Sequence, residues 1–134
     1  MVITLCGSTR FKQEFEQVSR ELTLAGHIVL MPGIFAHTDG IELTEENKIQ
    51  LDNLHRQKIN MSDMIFVINK NGYIGPSTYG EIDWANKMGK QISFLEAIPN
   101  NEEKQILTNM LNELRRSNRK IAAFRYSLSC RAAF

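Results

Sequence analysis

Residues 72–85 read GYIGPSTYGEIDWA, and the acid inside that stretch, Glu81, admits two uses. Thr78 and Glu81 stand at the S/T-x-x-E spacing of a capping box. In that motif the hydroxyl accepts from the first free N–H groups of a helix and the carboxylate accepts from the cap residue's own N–H. The same carboxylate also stands where an apolar run hands over to a helical pattern, the edge at which open α/β sheets collect ligands. On a helix opening near Thr78, Glu81 shares a face with Ala85 and Met88 and adjoins Ile82, the side that turns toward a sheet. Burial there removes water from the carboxylate, while the helix dipole and the Thr78 hydroxyl favour its ionised form. Such a carboxylate suits attack on the anomeric carbon of a sugar. From the residues alone, helix cap and nucleophile both stay open.

A second cluster, CGSTRF, follows the first apolar run. After Cys6, Gly7 permits close approach of backbone to a ligand, Ser8 and Thr9 offer hydroxyls at a helix start, and Arg10 brings a fixed charge with forked donors. These types suit a phosphate or another anion, and equally an ordinary N-cap followed by a surface Arg. The stretch is neither G-x-G-x-x-G nor G-x-x-x-x-G-K-[ST]. Gly33 in MPGIFAH and Tyr73, Gly75 and Ser77 ahead of Glu81 belong to the same candidate edge, and Tyr73 could stack on a base or simply pack its loop. Asn69 and Asn71 sit there too, as do His37 and Asp39 in the second loop, whereas Asp63 reads as a strand-boundary residue.

The elements that must position these groups alternate along the chain. VITLC, bounded by Gly7, reads as a buried strand, and Phe11, Phe15, Val18 and Leu22 recur at helical spacing before Gly26. HIVLM is a second strand, and Thr44 followed by Glu45 and Glu46 opens a second helix with Ile49, Leu51, Leu54 and Ile59 as its apolar positions. DMIFVIN is the third strand. A third helix then runs to about Lys87, Gly89 ends it, QISFL makes a fourth strand, and residues 102–116 read as a last helix. Strands separated by helices require right-handed crossovers and a parallel sheet covered on both faces. The expectation is an α/β, flavodoxin-like or Rossmann-like three-layer sandwich with four or five parallel strands, its ligand edge built from CGSTRF, MPGIFAH and NKNGYIGPST.

Length and composition agree with one globular domain: 134 residues, 43% hydrophobic and 23% charged. The division expected is a domain over 1–116 and a basic, partly apolar extension over 117–134. Residues 114–134 hold six of the 16 basic residues and none of the 15 acids, so the body is acidic. The extension lacks regular aromatic interleaving, which argues against nucleic acid, and it carries Ile121, Phe124, Tyr126, Leu128 and Phe134, which argue for packing on the body or on a second subunit. The N-terminal run is too short for a secretory segment or a membrane span, and a cytoplasmic location is expected. Cys6 and Cys130 have neither C-x-x-C nor His-paired spacing, so both read as reduced and no metal is expected.

From Val2 to about Glu96 the chain resembles the nucleoside 2-deoxyribosyltransferase superfamily, which includes deoxyribosyltransferases and nucleoside 5′-monophosphate N-glycosidases. The resemblance lies in the opening strand into CGSTRF, the SDMIFVIN strand, and GPSTYGEIDWA, similar to the family's Pro/Gly loop and E-[IL]-x-x-A helix start. It implies that Glu81 is the nucleophile, that sugar-binding and base-binding groups come from the other two loops, and that the ligand is a small nucleoside or nucleotide with no cofactor. It further implies self-association as a homodimer or larger even assembly, for which Trp84, facing away from the Glu81 stripe, offers surface. Two positions differ from the family's pattern. His55 stands where members often carry an Asp that handles the leaving base, and Gly75 stands where the transferases tend to have an acid. A His near its ordinary pKa of ~6.5 could protonate a departing base, or serve only as a polar border of its helix. Both differences weigh against plain deoxyribosyl transfer. A non-catalytic nucleotide-binding or sensing module of the same fold is the alternative.

Overall fold

The computed structural model describes residues 1–98; the helix expected over 102–116, the extension over 117–134 and Cys130 lie outside the described residues. The chain runs β1 (Val2–Gly7), α1 (Lys12–Leu24), β2 (Ile28–Leu30), a short α2 (Ala36–Asp39), α3 (Glu45–Met61), β3 (Met64–Ile68), α4 (Pro76–Lys87) and β4 (Gln91–Phe94). All strand pairs are parallel and the sheet order is β2-β1-β3-β4. The chain leaves β1 toward one side and recrosses it to reach β3, so the order reverses between the two central strands. Their carboxyl ends therefore flank a crevice of the kind that binds ligands in open α/β sheets.

Strand pleating divides the side chains between two faces. Ile3 and Leu5 of β1 and Met64, Phe66 and Ile68 of β3 pack with Phe15, Val18 and Leu22 of α1. Ile65 and Val67 of β3 turn to the opposite face, with Ile59 of α3 and Ile82 and Ala85 of α4, and Cys6 joins them. Thr4 shares the Cys6 face, and its hydroxyl and that of Ser62 meet beside the Lys58 carbonyl. Asp63 acts as the boundary residue its position suggests: its carboxylate accepts from the Val2 N–H at 2.7 Å and its own N–H donates to the Val2 carbonyl at 2.8 Å.

Two expectations about the helices need correction. α3 opens as read, with Thr44 and Asn47 exchanging the two bonds of a capping box, but it buries only His55 and Ile59. Ile49 and Leu54 are exposed, at 60% and 44%, because the first half of α3 borders a pocket instead of lying on the sheet. α4 begins at Pro76 with Gly75 as N-cap, two residues ahead of the expected start. Proline at the first helical position has its φ already set and no N–H to leave unpaired. Thr78 is thus an internal, buried helix residue, and the Thr78–Glu81 capping box does not form.

Candidate active site

At the carboxyl edge, the β1–α1 turn, the segment after β2, α3 and the start of α4 enclose a pocket of about 800 Å³. Gly7, Ser8, Thr9, Arg10, Gly33, His55, Tyr73, Gly75, Ser77, Thr78 and Glu81 all line it. Cys6, the remaining candidate, is fully buried behind them. Four separate segments thus bring the expected residues to one place. α2 supplies a further wall, docked on the turn by the Thr38 hydroxyl donating to the Thr9 carbonyl at 2.8 Å and by a Lys12–Asp39 ion pair at 2.9 Å.

The turn after β1 is shaped by close packing as well as by access to the pocket. Gly7 has φ +155°, and a Cβ there would stand 2.8 Å from the Ile68 carbonyl oxygen, so the neighbouring strand end requires glycine. Ser8 caps the following short turn and also accepts from the Arg10 Nε at 3.1 Å. The Arg10 guanidinium lies 4.3 Å above the Tyr73 ring and makes no ion pair among the described residues. Its Nη2 also donates to the Tyr73 hydroxyl at 3.4 Å, so with no carboxylate beside it the guanidinium keeps its charge and its remaining donors for an incoming anion.

Deeper in, three side chains from three elements converge. His55 Nε2 of α3 lies 3.4 Å from Cys6 Sγ of β1 and 3.7 Å from Glu81 Oε1 of α4. The Glu81 side chain keeps 20% exposure, yet its Oε2 is covered and without a partner, as is His55 Nδ1. Burial pushes the Glu81 carboxyl up to about 8; the Cys6 contact and Arg56 oppose the rise and the Asp52 charge adds to it. Burial, helped by the Lys58 charge, pushes His55 down to about 4. Burial first, then Glu81, holds the Cys6 thiol well above its ordinary range. The expectations of an ionised Glu81 and of a His55 near its ordinary pKa are thereby corrected. With α4 opening at Pro76, Glu81 lies beyond the first turn, where the helix dipole fades, and desolvation prevails. The donor atoms of Cys6, His55 and Glu81 all lie within 4.8 Å of one another, a cluster of metal-ligand type among the described residues.

Residues not singled out from sequence also face the pocket. Asp52 lies one turn before His55 on α3, and Lys48 and Lys58 line the same helix face. The signal was present in the spacing of Lys48, Asp52 and His55, which fall at helical intervals. Asn69, in contrast, is structural: its side chain donates to the Glu96 carbonyl at 3.0 Å and accepts from the Glu96 N–H at 2.8 Å. The Trp84 indole donates to Asn60 at 2.9 Å, with Arg56 and Lys87 near its ring.

No family model and no curated protein matches the sequence. Among solved structures, the chain is similar to a 2-deoxyribosyltransferase from the psychrotolerant bacterium Bacillus psychrosaccharolyticus, studied as a biocatalyst for the synthesis of nucleosides. The identity is 16%, the likeness covers 95% of this chain and 100% of the other, and the TM-score is 0.55. With its parallel four-stranded sheet between helical layers and its crevice at the reversal of strand order, the chain has the nucleoside 2-deoxyribosyltransferase-like fold.

Proposed function

We propose that this protein cleaves or transfers the N-glycosidic bond of a nucleoside or nucleoside 5′-monophosphate through a glycosyl ester on Glu81. The observation that carries the reading is the position of the Glu81 carboxylate, which lines the pocket beside His55 and serves no helix cap. At neutral pH the two groups hold one proton between them, mainly on Glu81. Its passage to His55 across 3.7 Å creates the attacking carboxylate and the imidazolium acid together. A Glu81 oxygen then bonds C1′ as the C1′–N bond breaks, and its electron pair leaves with the base, which takes the His55 proton. Water or a second base next attacks C1′, the ester bond breaks with its pair returning to Glu81, and a proton from the acceptor returns to His55. Two displacements retain the anomeric configuration.

Ser8, Arg10 and Ser77 surround the mouth of the pocket and suit a 5′-phosphate, with Tyr73 beside them as a stacking surface. The reaction requires no cofactor. The same reading includes self-association as a homodimer or larger even assembly, supported by exposed Leu24, Ile28 and Met61; light scattering at the mass of a single chain would remove that part.

Incubation with a panel of nucleosides and 5′-monophosphates, followed by chromatography for free base, tests the function. Base release from at least one substrate is expected. A ligand that raises the melting temperature while no member of the panel releases base would make the protein a binding module.

A further inference from the structure

We infer that Cys6, His55 and Glu81 form a binding site for a borderline-soft divalent cation of the Zn²⁺ type, set at the floor of the pocket. Thiolate, imidazole and carboxylate are the three donor kinds that zinc takes, and β1, α3 and α4 each supply one. Bond lengths of ~2.0–2.3 Å at tetrahedral angles separate neighbouring donors by roughly 3.3–3.7 Å. The Sγ to Nε2 and Nε2 to Oε1 distances, 3.4 and 3.7 Å, already match two edges of such a tetrahedron. Three protein ligands leave a fourth position, and it faces the pocket, because His55 and Glu81 line the pocket while Cys6 lies behind.

Charge favours the same occupant. A thiolate and a carboxylate together neutralise a divalent cation, so the loaded site is buried without net charge, avoiding the cost that isolated buried ions carry. Glu81 Oε2 is a covered acceptor that no group of the described chain satisfies. Binding displaces the Cys6 proton, and the Glu81 proton where present, so affinity rises with pH. Sequence spacing conceals the set, since Cys6 and His55 are 49 residues apart. The binding is independent of the reaction proposed above. Its consequence, that the cation blocks turnover by occupying the Glu81 lone pair, rests on Glu81 being the nucleophile.

The test is a Co²⁺ titration of the metal-stripped full chain carrying Cys130→Ser, so that Cys6 is the sole thiol. The expected result is saturation at one Co²⁺ per chain, with tetrahedral d–d bands and a thiolate-to-cobalt charge-transfer band, both abolished by added Zn²⁺. Cys6→Ser should remove the charge-transfer band, and Glu81→Gln should weaken binding by more than the ~10–100-fold that follows loss of a group merely supporting a ligand. X-ray absorption of the Zn²⁺-loaded chain, which needs no variant at the ligands, should show one sulfur at ~2.3 Å. No saturable binding, or a metal shell without sulfur, overturns the site. These optical and absorption readouts decide it whether or not any nucleoside is cleaved; separately, Zn²⁺ should abolish base release by the wild type.

Discussion

α1 and α3 cover opposite faces of one sheet, and the sheet uses them differently. α1 commits Phe15, Val18 and Leu22 to a hydrocarbon core within 13 residues. α3 is longer, at 17 residues, yet it buries only Ile59 and the imidazole of His55, and its first half borders the pocket. The central strand repeats the contrast: Ile3 and Leu5 face α1, whereas Thr4 and Cys6 face the side of α3 and α4. One face therefore holds the fold through close packing, where each lost methylene is felt. The other gives up part of that packing to keep titratable groups out of water, where their ordinary protonation states are displaced. Both faces hold a hydrophobic core, and one of them also carries the site.

Substitutions that separate the two sides test this division. The largest effect is expected at Glu81. Glu81→Gln should lower turnover by at least ~10³-fold while the chain stays folded and binds ligand, because an amide fills the same space but is a very poor nucleophile. It should also gain stability at alkaline pH. Folding raises the Glu81 pKa from 4.5 to about 8, so the folded wild type holds that proton more tightly than the unfolded chain, and its stability falls as pH rises through that window. Melting temperatures of both proteins from about pH 5 to 9 check the sign. Wild-type turnover should fall as pH rises through about 8, because the one proton that Glu81 passes to His55 is then lost and the departing base has no acid.

Next comes His55→Ala, which should slow the reaction by ~10²–10⁴-fold, less for substrates whose bases depart readily without a proton. Because burial lowers His55 from 6.5 to about 4, the wild type loses stability as pH falls through that window, and the variant should lose less. Phe15→Ala on the α1 side should do the reverse: denaturant unfolding should show a loss of ~3–5 kcal/mol, with base release per folded molecule nearly unchanged. A catalytic loss from Phe15→Ala equal to that from His55→Ala would erase the comparison. The smallest effect belongs to the mouth of the pocket, where Arg10→Ala should weaken monophosphate binding by ~1.5–3 kcal/mol and leave the free nucleoside almost unaffected. Equal losses for both ligands in calorimetry would make Arg10 structural.

Much of this arrangement can be read in the sequence, and the parts that cannot share a cause. α1 is legible because Phe15, Val18 and Leu22 follow the helical period and lie on the sheet, so apolar spacing and burial coincide. They part on α3, where Ile49 and Leu54 keep the period yet face the pocket rim or solvent. At the start of α4, Thr78 and Glu81 match a capping box in sequence, while Gly75 and Pro76 carry the operative signal. Glu81 was legible as a pocket residue because it sits at a strand-to-helix edge. Its raised pKa was not, since that depends on which groups from distant segments surround it. Cys6 could be placed near the edge, but its contact with His55 follows from strand parity and helix rotation together, neither of which local spacing determines.

The central claim is that Glu81 becomes covalently bonded to the sugar. Incubation of the wild type with a slow 2′-fluoro nucleoside or its 5′-monophosphate, followed by proteolysis and mass spectrometry, tests it most directly. The account predicts a mass increase of one sugar or sugar phosphate on the peptide containing Glu81, absent from Glu81→Gln. Base release with no adduct, or an adduct on a different residue, would contradict it.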